Sequence, residues 1–224
     1  MTTIYDFVLL RQKRPSQPQG SPGLYFMKTI LFIDGRNFIT KIASILNPNN
    51  KKEKEVDFSI YNFTGLLNKV LAGISIDKKV FYIGRLTKHE KTKEKSVELI
   101  EKQRKLKNYL EEQGFEVIYA GRVRGHEESC PKGHKFLTFK EKGVDVKIAV
   151  DMITFAHNKG LKVAIIGSSD SDLQPAIEEL KNEEVERIYL GFEDSPNKGL
   201  TFTTNRTILI RNSEVAEFID KTLI

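Results

Sequence analysis

The chain has 224 residues, enough for one sizeable domain and short for two. Hydrophobic residues make up 39% and charged residues 29%, as in ordinary globular proteins, and no apolar run approaches the roughly 18 residues of a membrane span. The net charge of +6 favours polyanionic partners only mildly, because 36 cations are set against 30 anions. These values exclude a membrane protein and a disordered chain.

The first 26 residues differ in composition from the rest of the chain. Residues 11–23, RQKRPSQPQGSPG, are rich in Pro, Gln, Ser and Gly and show no periodicity, which is typical of a flexible leader. The preceding YDFVLL contains an acid and follows no basic region, unlike a secretory signal. Because Met27 opens directly into a strand, we interpret 1–26 as a leader, tag or extension and expect one domain over 27–224.

From Met27, short β-rich runs alternate with helical stretches, the pattern of an α/β fold with a mostly parallel sheet. The predicted strands cover residues 29–34, 78–84, 115–121, 162–168, 187–192 and 207–211. The predicted helices cover residues 37–46, 58–73, 88–113, 144–160, 172–182 and 214–223. Ser213 is the predicted N-cap of the last helix.

Carboxylates stand where two predicted strands end. Asp34 ends the first strand, and Asp170 and Asp172 follow the strongly apolar fourth strand. We expect them to converge, because the functional crevice of an open α/β sheet lies beyond the carboxyl ends of its strands. Asp145 begins a helix, where the helix dipole favours a carboxylate. Asp151 lies six positions further, about 240° round the helix, so we rank it as peripheral.

Carboxylates held together repel one another unless a cation neutralises them. Oxygen ligands without His or Cys favour Mg²⁺ or Mn²⁺ over zinc, and such an ion can promote attack on a phosphodiester. Each acid also has a structural alternative: Asp34 as a turn former, Asp172 as a helix cap and Asp145 as a complement to the helix dipole.

Three motifs, FIDGRNF, EKGVDVKIAVDM and IIGSSDSDLQPAI, resemble in order and separation the NYN domain family of PIN-like nucleases. The resemblance extends from residue 28 to about 220. It implies a Rossmann-like three-layer α/β/α sandwich with a mostly parallel sheet, a Mg²⁺ or Mn²⁺ site, and ribonuclease activity. By position it implies catalytic and metal-binding roles for Asp34, Asp145, Asp170 and Asp172. It implies substrate contacts for Asn37 and for Lys142, which precedes the helical acid. Ser169 stands where the family more often has Gly, and we expect it to tighten that turn.

Residues 122–142, RVRGHEESCPKGHKFLTFKEK, are rich in cations. One interpretation is a basic loop in which Arg122 and Arg124 bind phosphates while the two Phe residues stack on the bases of a single strand. The alternative is a β-hairpin whose Phe residues lie in the core.

Cys130 is the only cysteine, so an internal disulfide is excluded and a reducing compartment is favoured. We therefore expect a cytoplasmic protein. A zinc site built from Cys130, His126 and His134 would lack a fourth ligand at a familiar spacing.

Three functions are weighed. The first is a metal-dependent ribonuclease, an endonuclease in our interpretation, acting on single-stranded RNA or else single-stranded DNA. The second is an RNA-binding regulator without chemistry, which gains nothing from acids that repel its ligand. The third is a phosphatase of the haloacid dehalogenase type, whose second acid is replaced here by Arg36. The oligomeric state stays open, with a homo-oligomer as one alternative.

Overall fold

A mostly parallel sheet forms the centre of the protein in a computed structural model that describes residues 28–48, 56–88, 93–129, 133–158 and 160–219. The strands are β1 (Lys28–Asp34), β2 (Lys78–Arg85), β3 (Glu116–Ser129), β4 (Lys135–Lys142), β5 (Leu161–Gly167), β6 (Glu186–Phe192) and β7 (Arg206–Ile210). The helices are α1 (Gly35–Leu46), α2 (Phe63–Val70), α3 (Lys93–Glu112), α4 (Val144–His157), α5 (Gln174–Asn182), α6 (Lys198–Thr203) and α7 (Asn212–Glu217). The leader predicted over 1–26 lies outside the described residues.

The strands are ordered β4-β3-β2-β1-β5-β6-β7, and all neighbouring pairs are parallel except β3 with β4. Helices α1, α2, α3 and α7 contribute to the apolar core on one face, and α4, α5 and α6 contribute to the core on the other. The predicted Rossmann-like three-layer sandwich is therefore confirmed.

Strand β1 has apolar residues without alternation because both of its faces are covered. Leu31 and Ile33 belong to one core and Ile30 and Phe32 to the other, and all four are at most 1% exposed. The chain builds the sheet outward from β1 to β3 and later resumes on the other side of β1 with β5. The crevice at such a reversal of strand order is where α/β sheets bind ligands.

The helix predicted over 58–73 is wrong in its first turn. Residues Phe58–Ile60 form a separate 3₁₀ turn, and α2 begins only at Phe63. The cause is local, because the Asn62 side-chain oxygen accepts a hydrogen bond from the Gly65 N–H at 2.7 Å and so caps a new helix.

The backbone of the basic segment 122–142 pairs as in the β-hairpin alternative and not as a loop, and the side chains of its two Phe residues lie outside what the structure describes. Arg122 pairs with Lys142, and Ser129 with Lys135, in an antiparallel ladder that continues β3 well beyond residue 121. The hairpin reverses the chain, so β4 ends at the same edge of the sheet as β2, with β3 between them, and α4 starts at that edge.

Smaller differences concern helix ends. Helix α3 begins at Lys93, later than predicted, and residues 89–92 lie outside the described residues. Helix α7 begins at Asn212, so Ser213 is not its cap; the Arg211 N–H donates instead to the Glu214 carboxylate at 2.9 Å. Helix α6 was not predicted. No helix among the described residues is long and apolar enough to cross a membrane.

Candidate active site

Asp34 lies at the junction between β1 and α1 and is only 8% exposed. Its Oδ1 accepts the N–H of Asn37 at 3.1 Å, which caps α1, and its Oδ2 accepts the Ser168 hydroxyl at 3.3 Å. Gly35 follows because a Cβ there would lie 2.6 Å from the Tyr82 carbonyl oxygen. The motif thus turns the chain from strand to helix at a point where only glycine fits, and it aims a carboxylate at the sheet edge.

Asp170 comes to the same place from β5. The buried Ser168 hydroxyl accepts the Asp170 N–H at 3.1 Å while donating to Asp34, so one hydroxyl links the two motifs. The Asp170 carboxylate accepts the N–H of Asp172 at 3.0 Å. Asp172 itself is exposed on the short 3₁₀ turn Ser171–Leu173. The predicted acidic pair is therefore split between two environments.

Asp145 and Glu141 complete the acid set from the other side. Asp145 lies in the first turn of α4. Glu141 lies near the end of β4, where it pairs with Val123 of β3. The Glu141 Oε2 accepts the N–H of Gly84 at 2.9 Å, which fixes the carboxylate above the end of β2. Sequence reasoning missed Glu141. Its signal was available, since it lies in the EKGVD motif four residues before Asp145.

One open cavity of about 550 Å³ contains these acids. The lining residues with polar or charged side chains are Asp34, Arg36, Asn37, Thr40, Lys41, Glu141, Lys142, Asp145 and Asp170. Of the four predicted acids, the structure brings together three, and Asp172 is not among the lining residues.

Burial and neighbouring charges shift the pKa of two acids in the cavity, Asp34 and Glu141. Burial raises the pKa of Asp34, and the charges of Asp170 and Asp145 raise it further, against the Asn37 N–H and the Ser168 hydroxyl, which lower it. Burial likewise raises the pKa of Glu141, and the Gly84 N–H and the Arg36 charge oppose this shift. Asp34 and Asp145 also raise the pKa of Glu141 through their charges. The cavity therefore holds several carboxylates close together where burial disfavours the ionised form of Asp34 and Glu141.

The acids fit a magnesium-like ion with an open coordination sphere. Within the described part of the chain, no group of three or more His, Cys, Asp or Glu side chains is placed so that it could hold a metal ion. A closed cage is the pattern of zinc or calcium, whereas Mg²⁺ usually keeps several waters and uses one or two carboxylates. Asp34, Asp145 and Asp170 are oxygen donors around one cavity, so this donor set suits Mg²⁺ or Mn²⁺.

Asn37 is held in a fixed orientation. Its Oδ1 accepts both the backbone N–H and the hydroxyl of Ser169, at 3.3 and 2.6 Å. Because a backbone N–H can only donate, the amide oxygen must face Ser169, and the amide NH₂ is left for other partners. The Asn197 amide in turn donates to the Ser169 carbonyl at 2.8 Å. Ser169 therefore makes a contact that Gly could not make.

A row of cations begins at the acid cavity, where Lys142 is a lining residue, and continues away from it along the sheet. Arg85, Arg122 and Lys142 are exposed and occupy paired positions on β2, β3 and β4, with Arg122 in the middle. Like charges at directly paired positions are destabilising, and an anion bound between them would relieve the repulsion. The Arg124 backbone pairs with Lys140, and its side chain lies outside what the structure describes.

Two other predictions can be placed. Asp151 is bound by the Lys147 ammonium at 2.6 Å and the Tyr82 hydroxyl at 3.0 Å, below the cavity on α4, in agreement with a peripheral position. Cys130 lies outside the described residues, so the zinc alternative falls there too.

We expect Gly84→Ala to lower the free energy of unfolding by roughly 1–2 kcal/mol. A Cβ on Gly84 would lie 2.3 Å from the Glu141 Oε2, so the carboxylate must leave and its hydrogen bond is lost. Urea unfolding measures the change. The matched control is Gly160→Ala, whose Cβ would meet nothing closer than the Phe155 carbonyl oxygen at 3.7 Å. Equal stability of the two variants would contradict the tight contact.

Comparisons with known proteins bear on the family. The chain is similar to the crystal structure of a protein of unknown function from Vibrio parahaemolyticus, with 16% identity and a TM-score of 0.49. That match covers 82% of this chain and 93% of the other. No curated protein matches the chain.

The family comparison agrees with the geometry. The model of the NYN domain matches residues 28–211, which span β1 to the end of β7 and include every acid of the cavity. The resemblance inferred from the three motifs is thereby confirmed. With its acids converging at the carboxyl edge of a parallel sheet, the chain belongs to the NYN domain family of PIN-like nucleases.

Proposed function

We propose that the chain is a Mg²⁺- or Mn²⁺-dependent ribonuclease that cleaves phosphodiester bonds within single-stranded RNA. The observation that carries the proposal is the convergence of Asp34, Asp145 and Asp170 on one open cavity whose margin is cationic. A pure binding surface for a polyanion has no use for buried carboxylates, because they repel phosphate. The family supports a nuclease, and the RNA substrate, the metal and the internal cleavage are our inference.

Asp34, Asp145 and Asp170 are the residues that would hold the ion, with Glu141 adding a fourth carboxylate close by. When bound, the ion supplies Lewis-acid polarisation of the phosphodiester and activation of the attacking water. Asp172, the fourth acid implied by the family pattern, would act from the outer side of the turn, through its N–H to Asp170.

The substrate would be held by donors around the acids. The Asn37 NH₂, left unused by Ser169, is suited to a phosphate oxygen. Lys142 lines the cavity, and with Arg122 and Arg85 it extends the cationic margin along the sheet. Lys41, whose ammonium donates to the Ser195 hydroxyl, lies on the opposite side of the cavity.

The proposal is tested by incubating the full chain with end-labelled single-stranded RNA and a DNA of matching sequence. Mn²⁺, Mg²⁺ and excess EDTA are compared, and thermal unfolding is followed in the same buffers. We expect cleavage of the RNA at internal positions only with metal. We also expect the ion to raise the melting temperature, by about 5–10 °C at a hundredfold excess over its dissociation constant, since binding then contributes about 2.7 kcal/mol.

The outcomes separate the hypotheses. Cleavage that persists in EDTA would contradict metal dependence, and cleavage of the DNA alone would contradict the substrate. Salt-dependent RNA binding without products in any buffer would favour the regulator without chemistry.

A further inference from the structure

A second cavity, of about 580 Å³, adjoins the acid cavity. The two share Arg36, Thr40 and Glu141, so a ligand in one touches the wall of the other. We call this second cavity the side pocket. It lies between α1 and α3, over the ends of β2 and β3, and the 3₁₀ turn Phe58–Ile60 closes one side.

The walls of the side pocket are largely apolar. The apolar lining side chains include those of Ile39, Phe58, Leu99, Leu106 and Val123. One wall is held in place by Gln103, whose amide NH₂ donates to the Gly84 carbonyl at 2.8 Å and whose amide oxygen accepts the Leu86 N–H at 3.3 Å. The pocket therefore exists before any ligand binds, because these bonds tie α3 to the end of β2.

Cations also line the side pocket. Lys102 and Lys105 of α3 line the side pocket, and both lie close enough to Asp57 to help lower the pKa of its carboxyl, although its hydrogen bonds from Ser59 contribute most. Arg36 stands at the wall shared with the acid cavity. An apolar slot whose lining also carries three cations and the carboxylates of Asp57 and Glu141 suits a group that is flat and apolar in its body and is attached to phosphate.

We propose that the side pocket binds one nucleobase of the RNA, that of the nucleotide next to the phosphodiester held in the acid cavity. This inference rests on the proposed function. In a nucleic acid, base and phosphate are one sugar apart, which matches two cavities that share a wall. The Phe58 ring offers a surface for stacking, and stacking is tolerant of base identity. We therefore expect loss of the base to weaken binding more than a change of base does.

The test measures binding, so it does not depend on cleavage. The Asp34→Asn variant is titrated with a short fluorescent single-stranded RNA, and in a series of such RNAs a single abasic nucleotide is moved along the strand. Fluorescence anisotropy gives each dissociation constant at fixed salt. We expect one position at which the abasic nucleotide weakens binding about tenfold, with small effects elsewhere.

A pocket-filling substitution tests the location. Leu99 is half-buried and lines only the side pocket, so Leu99→Trp, made in the Asp34→Asn protein, should weaken binding of the intact RNA about tenfold and remove the effect of the abasic nucleotide. The matched control is Val97→Trp on the same helix, which adds the same ring at a residue 45% exposed and outside both cavities. We expect the control to bind like the parent.

Two results would overturn the inference: equal abasic effects at every position, or unchanged binding by a folded Leu99→Trp variant. Circular dichroism reports whether that variant folds, and if it does not, the abasic series on the protein with native Leu99 decides alone. A flat series together with metal-dependent cleavage would reject the side pocket and keep the nuclease. A single sensitive position without cleavage in the parent chain would keep the side pocket and reject the nuclease.

Discussion

Replacing Asp34 by Asn should lower the rate of RNA cleavage about 1,000-fold without unfolding the protein. The variant loses a charge at the centre of the acid cavity, where the carboxylates of Asp145 and Asp170 also act. It keeps the local structure, because an amide oxygen can still accept the Asn37 N–H and the amide NH₂ can donate to the Ser168 hydroxyl. Single-turnover cleavage of end-labelled RNA in Mn²⁺ measures the loss.

The same substitution should raise the melting temperature in the absence of metal. The pKa of Asp34 is raised in the folded protein above its ordinary value of 3.8, so the ionised form carries a folding penalty. That penalty is absent below the unfolded pKa and fully present above the folded pKa. The stability gain from Asn should therefore be absent near pH 3, grow as the pH rises from the unfolded toward the folded pKa, and be complete above the folded pKa. Differential scanning fluorimetry over this range records it.

A matched control for Asp34→Asn is Asp77→Asn. Asp77 is exposed at the opposite edge of the sheet, where its carboxylate accepts the Thr29 N–H at 2.8 Å. We expect unchanged cleavage and no gain in stability at pH 7 for this control. Full cleavage by Asp34→Asn would remove Asp34 from the catalytic site, and a lower melting temperature at pH 7 would contradict the folding penalty.

Asp170 and Asp172 should differ sharply although they belong to one motif. Asp170→Asn should lower cleavage about 1,000-fold, because Asp170 lines the cavity and its charge acts on Asp34. Asp172→Asn should lower cleavage at most about tenfold, because Asp172 is exposed and supports Asp170 through its backbone N–H, which the substitution keeps. The measurement is single-turnover cleavage in Mn²⁺ with both variants and the parent chain.

Thermal shift by Mn²⁺ provides a second reading of the same contrast. Asp170→Asn should reduce the increase in melting temperature that the ion produces, and Asp172→Asn should leave most of it. Equal losses in both variants would mean that Asp172 turns into the cavity in the working enzyme. Equal retention would remove Asp170 from the ion's ligands.

The acids that end strands could be found from the sequence because their position follows from local patterns. An uninterrupted apolar run predicts a strand buried on both faces, and its last residue must lie at the carboxyl edge of a parallel sheet. This pattern was enough to place Asp34 and Asp170 at the carboxyl edge. The three-layer sandwich followed in the same way, from the alternation of strands and helices.

Other parts of the site depend on which segments meet, which no local pattern specifies. The sequence could not choose between a loop and a hairpin at 122–142, and the hairpin is what brings Glu141 to Gly84 and places Asp145 at the carboxyl edge. Likewise, the exposure of Asp172 follows from the direction of a single 3₁₀ turn.

By itself, the amino-acid sequence determined the fold class, the family motifs and the acids at the ends of β1 and β5, because each is written in a continuous stretch of chain. Only the tertiary structure decided the remaining features. The Ser168 bridge between two motifs, the Ser169 contact that orients Asn37, and the row of Arg85, Arg122 and Lys142 join residues far apart in the chain. Such contacts form only when separate helices and strands pack against one another, so a local sequence pattern does not specify them.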